Sequence, residues 1–236
     1  VFLVQLFIFF ITNVMFYYYL FYKIKLRFKF MPTNTASEIM RSSLEFYFAR
    51  FFPNLYMQGS TYALSYSLPI DLIAIYAIAL DFYKVGHTVI GSIGRVLYTN
   101  LSSTQDFVLL KKVTFVTLLT HFFLVPVVYF IGGHVLSVLF DFDIEMLFQL
   151  SLLFYVSLVF VIINCFWGYP VFSAIGKDRI GHICLISMAV TYFTLLYLLI
   201  VISDLTIYSA VLCIVAADFV GTVIRLIFAI DNRILP

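Results

Sequence analysis

Three ionisable side chains recur at helical spacing inside one apolar stretch of the chain, residues 72–98. They share one face of a predicted helix with a threonine and a glycine, and His87 and Ser92 flank that face. The face consists of Asp81, Lys84, Thr88, Gly91 and Arg95. A charged side chain at the centre of a bilayer costs about 2.5–3.5 kcal/mol on insertion scales. We therefore expect this face to point into a helix bundle or into a water-filled cavity.

Two interpretations of this face are open. In the first, Asp81 and Lys84 neutralise each other one helical turn apart and pin two helices together. In the second, the face lines a hydrated lumen with a positive bias that holds an anionic group of a substrate. Lys84 is then the central charge and Arg95 the cytoplasmic mouth, with Asp81 and His87 as further candidate translocation residues.

Weaker polar positions occur in other apolar segments. Arg50, Asn54 and Gln58 lie four residues apart, so they share a helical face. Arg50 either belongs to the same translocation path or extends towards the cytoplasmic interface, as long basic side chains do near helix ends. A lone intramembrane histidine, His121, is interpreted as a hydrogen-bonded core residue.

The last apolar segment carries Asp218 near its middle, on the same face as Thr222 and Arg225. Asp218 is expected to pair with Arg225 through a bridging group, or with Lys84 across the bundle, and is the sixth candidate site residue. Asn164 is expected to form hydrogen bonds between helices.

Motifs of catalysis and of metal or nucleotide binding are missing from the sequence. It contains no HExxH, no Walker-type phosphate loop and no converging Ser/His/Asp set, and its three cysteines form no CxxC pair. We expect no enzyme activity, no cofactor and no metal site. The basic run over residues 23–29 directly follows an apolar segment, which favours an anchor on anionic lipid and not a nucleic-acid contact.

The composition is that of an integral membrane protein. Hydrophobic residues make up 64% of the 236 positions and charged residues 11%, against about 25% charged in soluble domains. About 20 apolar residues cross the hydrocarbon as a helix. Seven segments are long enough: 1–22, 42–68, 72–98, 113–138, 146–169, 181–202 and 205–230. The predicted fold is an all-α polytopic membrane bundle.

Basic and base-free connections alternate along the chain. Lys and Arg occupy the first, third and fifth connections and the C-terminal end, whereas the second, fourth and sixth contain acidic residues and no Lys or Arg. The positive-inside rule then places the N-terminus outside and the C-terminus in the cytoplasm. The polar connection 23–41 is interpreted as a cytoplasmic linker between a first span, 1–22, and a six-helix lobe, 42–236.

Three stretches carry a family resemblance. They are residues 75–84 (IYAIALDFYK), 91–98 (GSIGRVLY) and 172–179 (FSAIGKDR). Together they resemble bacterial O-antigen and capsule repeat-unit flippases of the Wzx type, in the superfamily of the multidrug and toxin exporters. The resemblance extends over about residues 35 to 230.

The resemblance implies two six-helix lobes around a central cavity, of which this chain has one helix and the second lobe. It also implies the flipping of an undecaprenyl-diphosphate-linked oligosaccharide from the cytoplasmic to the periplasmic leaflet of the bacterial inner membrane. A polysaccharide polymerase and a chain-length regulator are the implied partners besides the lipid bilayer. The alternatives are a drug or cation exporter of the same superfamily and a truncated, non-functional transporter fragment.

Overall fold

The structure, a computed structural model, describes residues 2–23, 33–139, 143–202, 205–232 and 234. All regular structure within these ranges is helical, in agreement with the predicted all-α class. The helices are α1 (Phe2–Tyr18), α2 (Thr33–Ser65), α3 (Ile70–Thr104), α4 (Phe107–Leu139), α5 (Ile144–Phe166), α6 (Tyr169–Ala174), α7 (Asp178–Ile202) and α8 (Ile207–Asp231), and a π-helical turn, Tyr19–Lys23, follows α1.

Five of the seven predicted spans are helices long and apolar enough to cross a membrane: α3, α4, α5 continued by α6, α7 and α8. The chain is therefore a multi-pass membrane protein. The two remaining segments are helical, but their helices are not both long and apolar enough to cross a membrane by the same criterion. Without its π-helical turn α1 has 17 residues, which rise about 26 Å, and α2 carries Arg50, Asn54 and Gln58 among its apolar residues. The count of seven spans stays a prediction.

The chain divides into two compact units, Val1–Leu44 and Glu45–Pro236. The first holds α1 and the beginning of α2, and the second holds everything from the middle of α2 onwards. Residues 24–32 of the predicted linker lie outside the described residues. The rest of that predicted linker, from Thr33 to residue 41, is helical and forms the start of α2.

Local sequence signals explain where several helices begin and end. Asp143 caps α5 by accepting a hydrogen bond from the amide of Met146, and Thr206 and Ser209 form a capping box at α8. Between α3 and α4, Gln105 adopts a left-handed conformation that ends α3. The carboxylate of Asp106 then accepts the first free amides of α4, from Val108 and Leu109.

The core of the second unit lies around α3, α5 and α8. Helix α5 packs against α3, α4 and α8, α7 packs against α8, and the short α6 packs against α3 and α7. The second half of α2 joins this core through Tyr56, whose ring packs on Tyr192, and Ser60, which accepts a hydrogen bond from Tyr76. Large apolar side chains cover most of the outer surface, as a lipid-facing bundle requires.

Candidate functional site

The polar face of α3 lies on the outside of the bundle. Tyr83, Ile90, Gly94 and Leu97 bury the opposite side of the helix against the core. Asp81, Thr88, Ser92 and Arg95 are exposed, and Lys84 is partly exposed. The first part of the expectation, that this face points into the bundle, therefore does not hold for the described residues, and the second part, a water-filled cavity, stays a prediction. Helical spacing groups residues on a face but does not fix which face packs.

Lys84 forms an ion pair with Asp81, with Nζ 3.0 Å from Oδ1. The Asp81 side chain is 72% exposed and that of Lys84 30% exposed. Because both residues belong to α3, the pair neutralises charge within one helix and does not pin two helices together. Arg95 donates a hydrogen bond to Ser92 Oγ at 2.8 Å. No carboxylate of the described residues lies within ion-pair distance of Arg95, so the face keeps one uncompensated positive charge.

A second polar group is enclosed by α2, α3, α5 and α8, and we call it the buried polar cluster. Its members are Tyr56, Tyr83, Asn164, Asp218, Thr222 and Arg225. The phenol of Tyr83 donates a hydrogen bond to one carboxylate oxygen of Asp218, and the phenol of Tyr56 approaches the other at 3.5 Å. A carboxylate buried in hydrocarbon is tolerated because these donors replace water.

Asn164 is the bridging group of the buried polar cluster. Its amide nitrogen donates to the backbone carbonyl of Asp218 at 3.0 Å, and its amide oxygen accepts from Arg225 Nη1 at 2.6 Å and from Thr222 at 3.1 Å. The sequence-based expectation of hydrogen bonds between helices at Asn164 is confirmed. The bridge to Arg225 starts from the backbone of Asp218 and not from its carboxylate.

The structure does not pair Asp218 with Lys84, which was the alternative expectation. The carboxylate of Asp218 contacts Tyr56 and Tyr83, whereas Lys84 contacts Asp81. Tyr83 and Lys84 are neighbours in sequence, but a helix turns by 100° per residue, so they point to different sides of α3. The two polar groups are therefore separate, one buried and one on the outer face.

Arg225 lies inside the bundle, where its side chain is only 3% exposed. Its Nε atom has no hydrogen-bond partner among the described residues. Two glycines make room for the guanidinium: a Cβ at Gly168 would lie 2.9 Å from Nε, and one at Gly221 would lie 2.7 Å from Nη1.

Gly221→Ala is expected to destabilise the bundle, because the new methyl group would also lie 2.5 Å from the side chain of Met188. Overpacking of this kind costs about 1–3 kcal/mol. The matched control is Gly133→Ala in α4, where a Cβ meets nothing within 4 Å. The control should be neutral or slightly stabilising, since alanine favours helix by about 1 kcal/mol. Thermal unfolding in detergent measures both, and equal midpoints would contradict the assigned position of Arg225.

His87, the other candidate residue whose side chain the structure describes, joins neither group. His87 is partly buried, and its ring centroid lies 6.3 Å from that of Tyr83. The side chain of Arg50 lies outside the described residues. His121 is buried as expected and stacks on Tyr155 at 4.5 Å, but its Nε2 has no hydrogen-bond partner among the described residues.

A cavity of about 450 Å³ opens between α3, α4 and α5. Apolar side chains, including Phe82, Val128, Leu136 and Phe148, form nearly all of its wall. Such a wall accommodates hydrocarbon and offers no cation to an anionic group. The cavity is therefore not a site for a charged headgroup, which leaves the outer face of α3 as the candidate site for an anion.

Tyr56, Tyr83 and the buried position of Arg225 were missed at the level of sequence. Tyrosines in apolar helices count as hydrophobic in a composition scan, and only a buried carboxylate facing them reveals their role as donors. Among the described residues, no group of three or more His, Cys, Asp or Glu side chains converges to hold a metal ion.

No family model matches this chain, and neither a curated protein nor a solved structure is significantly similar to it. Its function is therefore inferred from its two polar groups.

Proposed function

We propose that this chain belongs to a membrane transporter that flips undecaprenyl-diphosphate-linked polysaccharide repeat units from the cytoplasmic to the periplasmic leaflet of a bacterial inner membrane. The observation that carries the proposal is the outer face of α3, where Asp81 and Arg95 are exposed and Lys84 is partly exposed along an apolar helix long enough to cross a membrane. A diphosphate that crosses hydrocarbon needs cationic donors along its path. Lys84 and Arg95 are donors of this kind, and Arg95 has no opposing carboxylate within the described residues.

In the proposed path the two cations have different roles. Arg95 is able to form a bidentate contact with a phosphate, because among the described residues its guanidinium bonds only to the hydroxyl of Ser92. Lys84 has to exchange Asp81 for the phosphate, and an ion pair that faces water in the proposed path is worth no more than about 1 kcal/mol. The face thus offers two successive anion contacts, eleven residues or about 16 Å apart along α3.

Removal of either cation is expected to slow transport. A charge-assisted hydrogen bond contributes about 1.5–3 kcal/mol, which corresponds to a roughly tenfold or larger loss of rate. The assay reconstitutes the chain in liposomes that contain an undecaprenyl-diphosphate-linked oligosaccharide with a fluorophore on its sugar. A membrane-impermeant quencher then reports how fast the label leaves the outer leaflet. Lys84→Ala and Arg95→Ala should each be at least about tenfold slower than the unchanged chain.

The matched controls are Lys112→Ala and Arg179→Ala, which remove exposed basic side chains that are not on the α3 face. They should flip the lipid at the rate of the unchanged chain. Equal loss in all four variants would show that total basic charge matters and the α3 face does not. If the unchanged chain exports a cationic dye but leaves the lipid in place, the function is that of the drug exporter alternative.

A further inference from the structure

The apolar cavity between α3, α4 and α5 is as deep as one leaflet of a bilayer. Along α5 it extends from Phe148 to Leu158, and ten residues of helix rise about 15 Å. The hydrocarbon core of a membrane is about 30 Å thick, so the cavity covers half of it. Phe148 lies about 6 Å past Ile144, where α5 begins beside the exposed Asp143 and Glu145. The cavity therefore extends from near one membrane surface to the middle of the bilayer.

The cavity meets the outer surface of the bundle between α3 and α4. Four of its lining side chains are 43–54% exposed, and we call them the rim: Phe82, Val127, Ile131 and Val135. Helix α4 packs mainly on α5, so little of it closes the gap towards α3. Hydrocarbon surrounds the apolar surface of a membrane-spanning bundle. The chains of neighbouring lipids therefore reach the cavity through the rim.

The wall and the size of the cavity limit what it can hold. None of the described residues that line it is charged, so a lipid headgroup is excluded. Protein interiors are closely packed, and an apolar cavity of this kind excludes water and takes up hydrocarbon. A helix about 10 Å in diameter and 15 Å long fills roughly 1,200 Å³, well above the 450 Å³ of the cavity. A methylene group is about as large as a water molecule, roughly 30 Å³, so about fifteen of them fit.

We propose that the cavity binds one acyl chain of a diacyl phospholipid, taken from the leaflet next to the connection between α4 and α5. The lipid headgroup then lies at the membrane surface near the start of α5, outside the cavity. An undecaprenyl chain is much longer than one leaflet is deep and does not fit as a whole. The inference does not rest on the proposed function, because Phe82 and Gly86 of the cavity lie about 160° around α3 from Lys84.

Native mass spectrometry tests whether a lipid is retained at the cavity. The chain is purified in mild detergent from membranes of phosphatidylethanolamine and phosphatidylglycerol, and one phospholipid per chain is the expected adduct. Leu152→Trp and Val135→Trp fill the cavity from α5 and from α4, and each should lower the fraction of lipid-bound chains at least about fivefold. Their controls, Val156→Trp and Val138→Trp, are 47% and 85% exposed and do not line the cavity, so they should retain the lipid like the unchanged chain.

Two results of this measurement would overturn the proposal. The first is equal retention in all four variants, or no retained phospholipid in the unchanged chain. The second is an undecaprenyl-linked lipid in the place of the phospholipid, which would make the cavity a part of the transport path and reject the acyl chain as its occupant.

Tryptophan fluorescence locates the acyl chain without a substitution at Leu152. Trp167→Phe removes the single tryptophan of the chain, and Phe148→Trp places a new fluorophore at the cavity. In liposomes of phosphatidylcholine with dibrominated acyl chains, bromine quenches a tryptophan that it touches. Val135→Phe narrows the cavity and should lower this quenching at least about twofold, whereas Val138→Phe should leave it unchanged. Equal quenching in both would show that the chain does not enter the cavity.

Discussion

Asn164→Ala is expected to be among the most destabilising single substitutions in the described part of the chain. It removes three hydrogen bonds between α5 and α8, and with them the side-chain oxygen that, among the described residues, holds the buried guanidinium of Arg225. Of the hydrogen bonds that Nη1 makes to described residues, the weak one to the sulfur of Met188 at 3.3 Å is left. A buried charge that loses its partner costs about 3–5 kcal/mol. For a chain of this length that corresponds to a midpoint lowered by roughly 6–20 °C.

The measurement follows the exposure of the cysteines. Cys184 and Cys213 are buried in the native bundle, so a thiol-reactive dye reports unfolding in detergent. The matched control is Ser157→Ala, also on α5 and also buried. Its hydroxyl donates only within α5, to the carbonyl of Phe154 at 2.7 Å. The control should lose less than about 1 kcal/mol of unfolding free energy. Its midpoint should therefore fall by less than about 2–4 °C. Equal shifts would mean that Asn164 does not carry the α5–α8 contact.

Tyr83→Phe is expected to cost about 1.5–3 kcal/mol, because the phenol is the closer of the two donors to the buried carboxylate of Asp218. The ring itself stays in place, since it packs on Phe154 with centroids 5.0 Å apart. The loss therefore reports the hydrogen bond and not a cavity. Combining Tyr83→Phe with Asp218→Asn in a double-mutant cycle isolates the pairwise energy.

Tyr155→Phe is the control for Tyr83→Phe. Tyr155 stacks on His121 at 4.5 Å, and its hydroxyl makes no hydrogen bond to the described residues. Its substitution should change the free energy of unfolding by no more than about 0.5 kcal/mol. If Tyr83→Phe were as mild as Tyr155→Phe, the carboxylate of Asp218 would have other donors, and the assignment of Tyr83 as its main donor would be wrong.

The helices themselves followed from the sequence. Long apolar segments between polar connections predicted α3, α4, α5, α7 and α8, since backbone groups in hydrocarbon are satisfied only within a helix. Helical spacing also placed Asp81, Lys84 and Arg95 on one face. It could not decide whether that face points inward, because an inward and an outward polar face have the same period.

The buried polar cluster could not be predicted as a cluster. Tyr56 and Asp218 are 162 residues apart, and Tyr83 and Asp218 are 135 apart. Helical periodicity relates residues within one helix and says nothing about which helices meet. Asp218, Thr222 and Arg225 were placed on one face of α8, but their partners on α2, α3 and α5 depend on how the helices pack.

The sequence alone determined the class of protein, the positions of five apolar helices and the grouping of polar residues along each, because these depend on chain length, hydrophobicity and a fixed helical period. The tertiary structure decided which charges are buried. It enclosed Arg225 and left Lys84 on the outer face of α3. The reason is that burial of a charge requires hydrogen-bonding groups from other helices. Asn164 supplies an acceptor beside Arg225, whereas the partner of Lys84 among the described residues is Asp81 of its own helix.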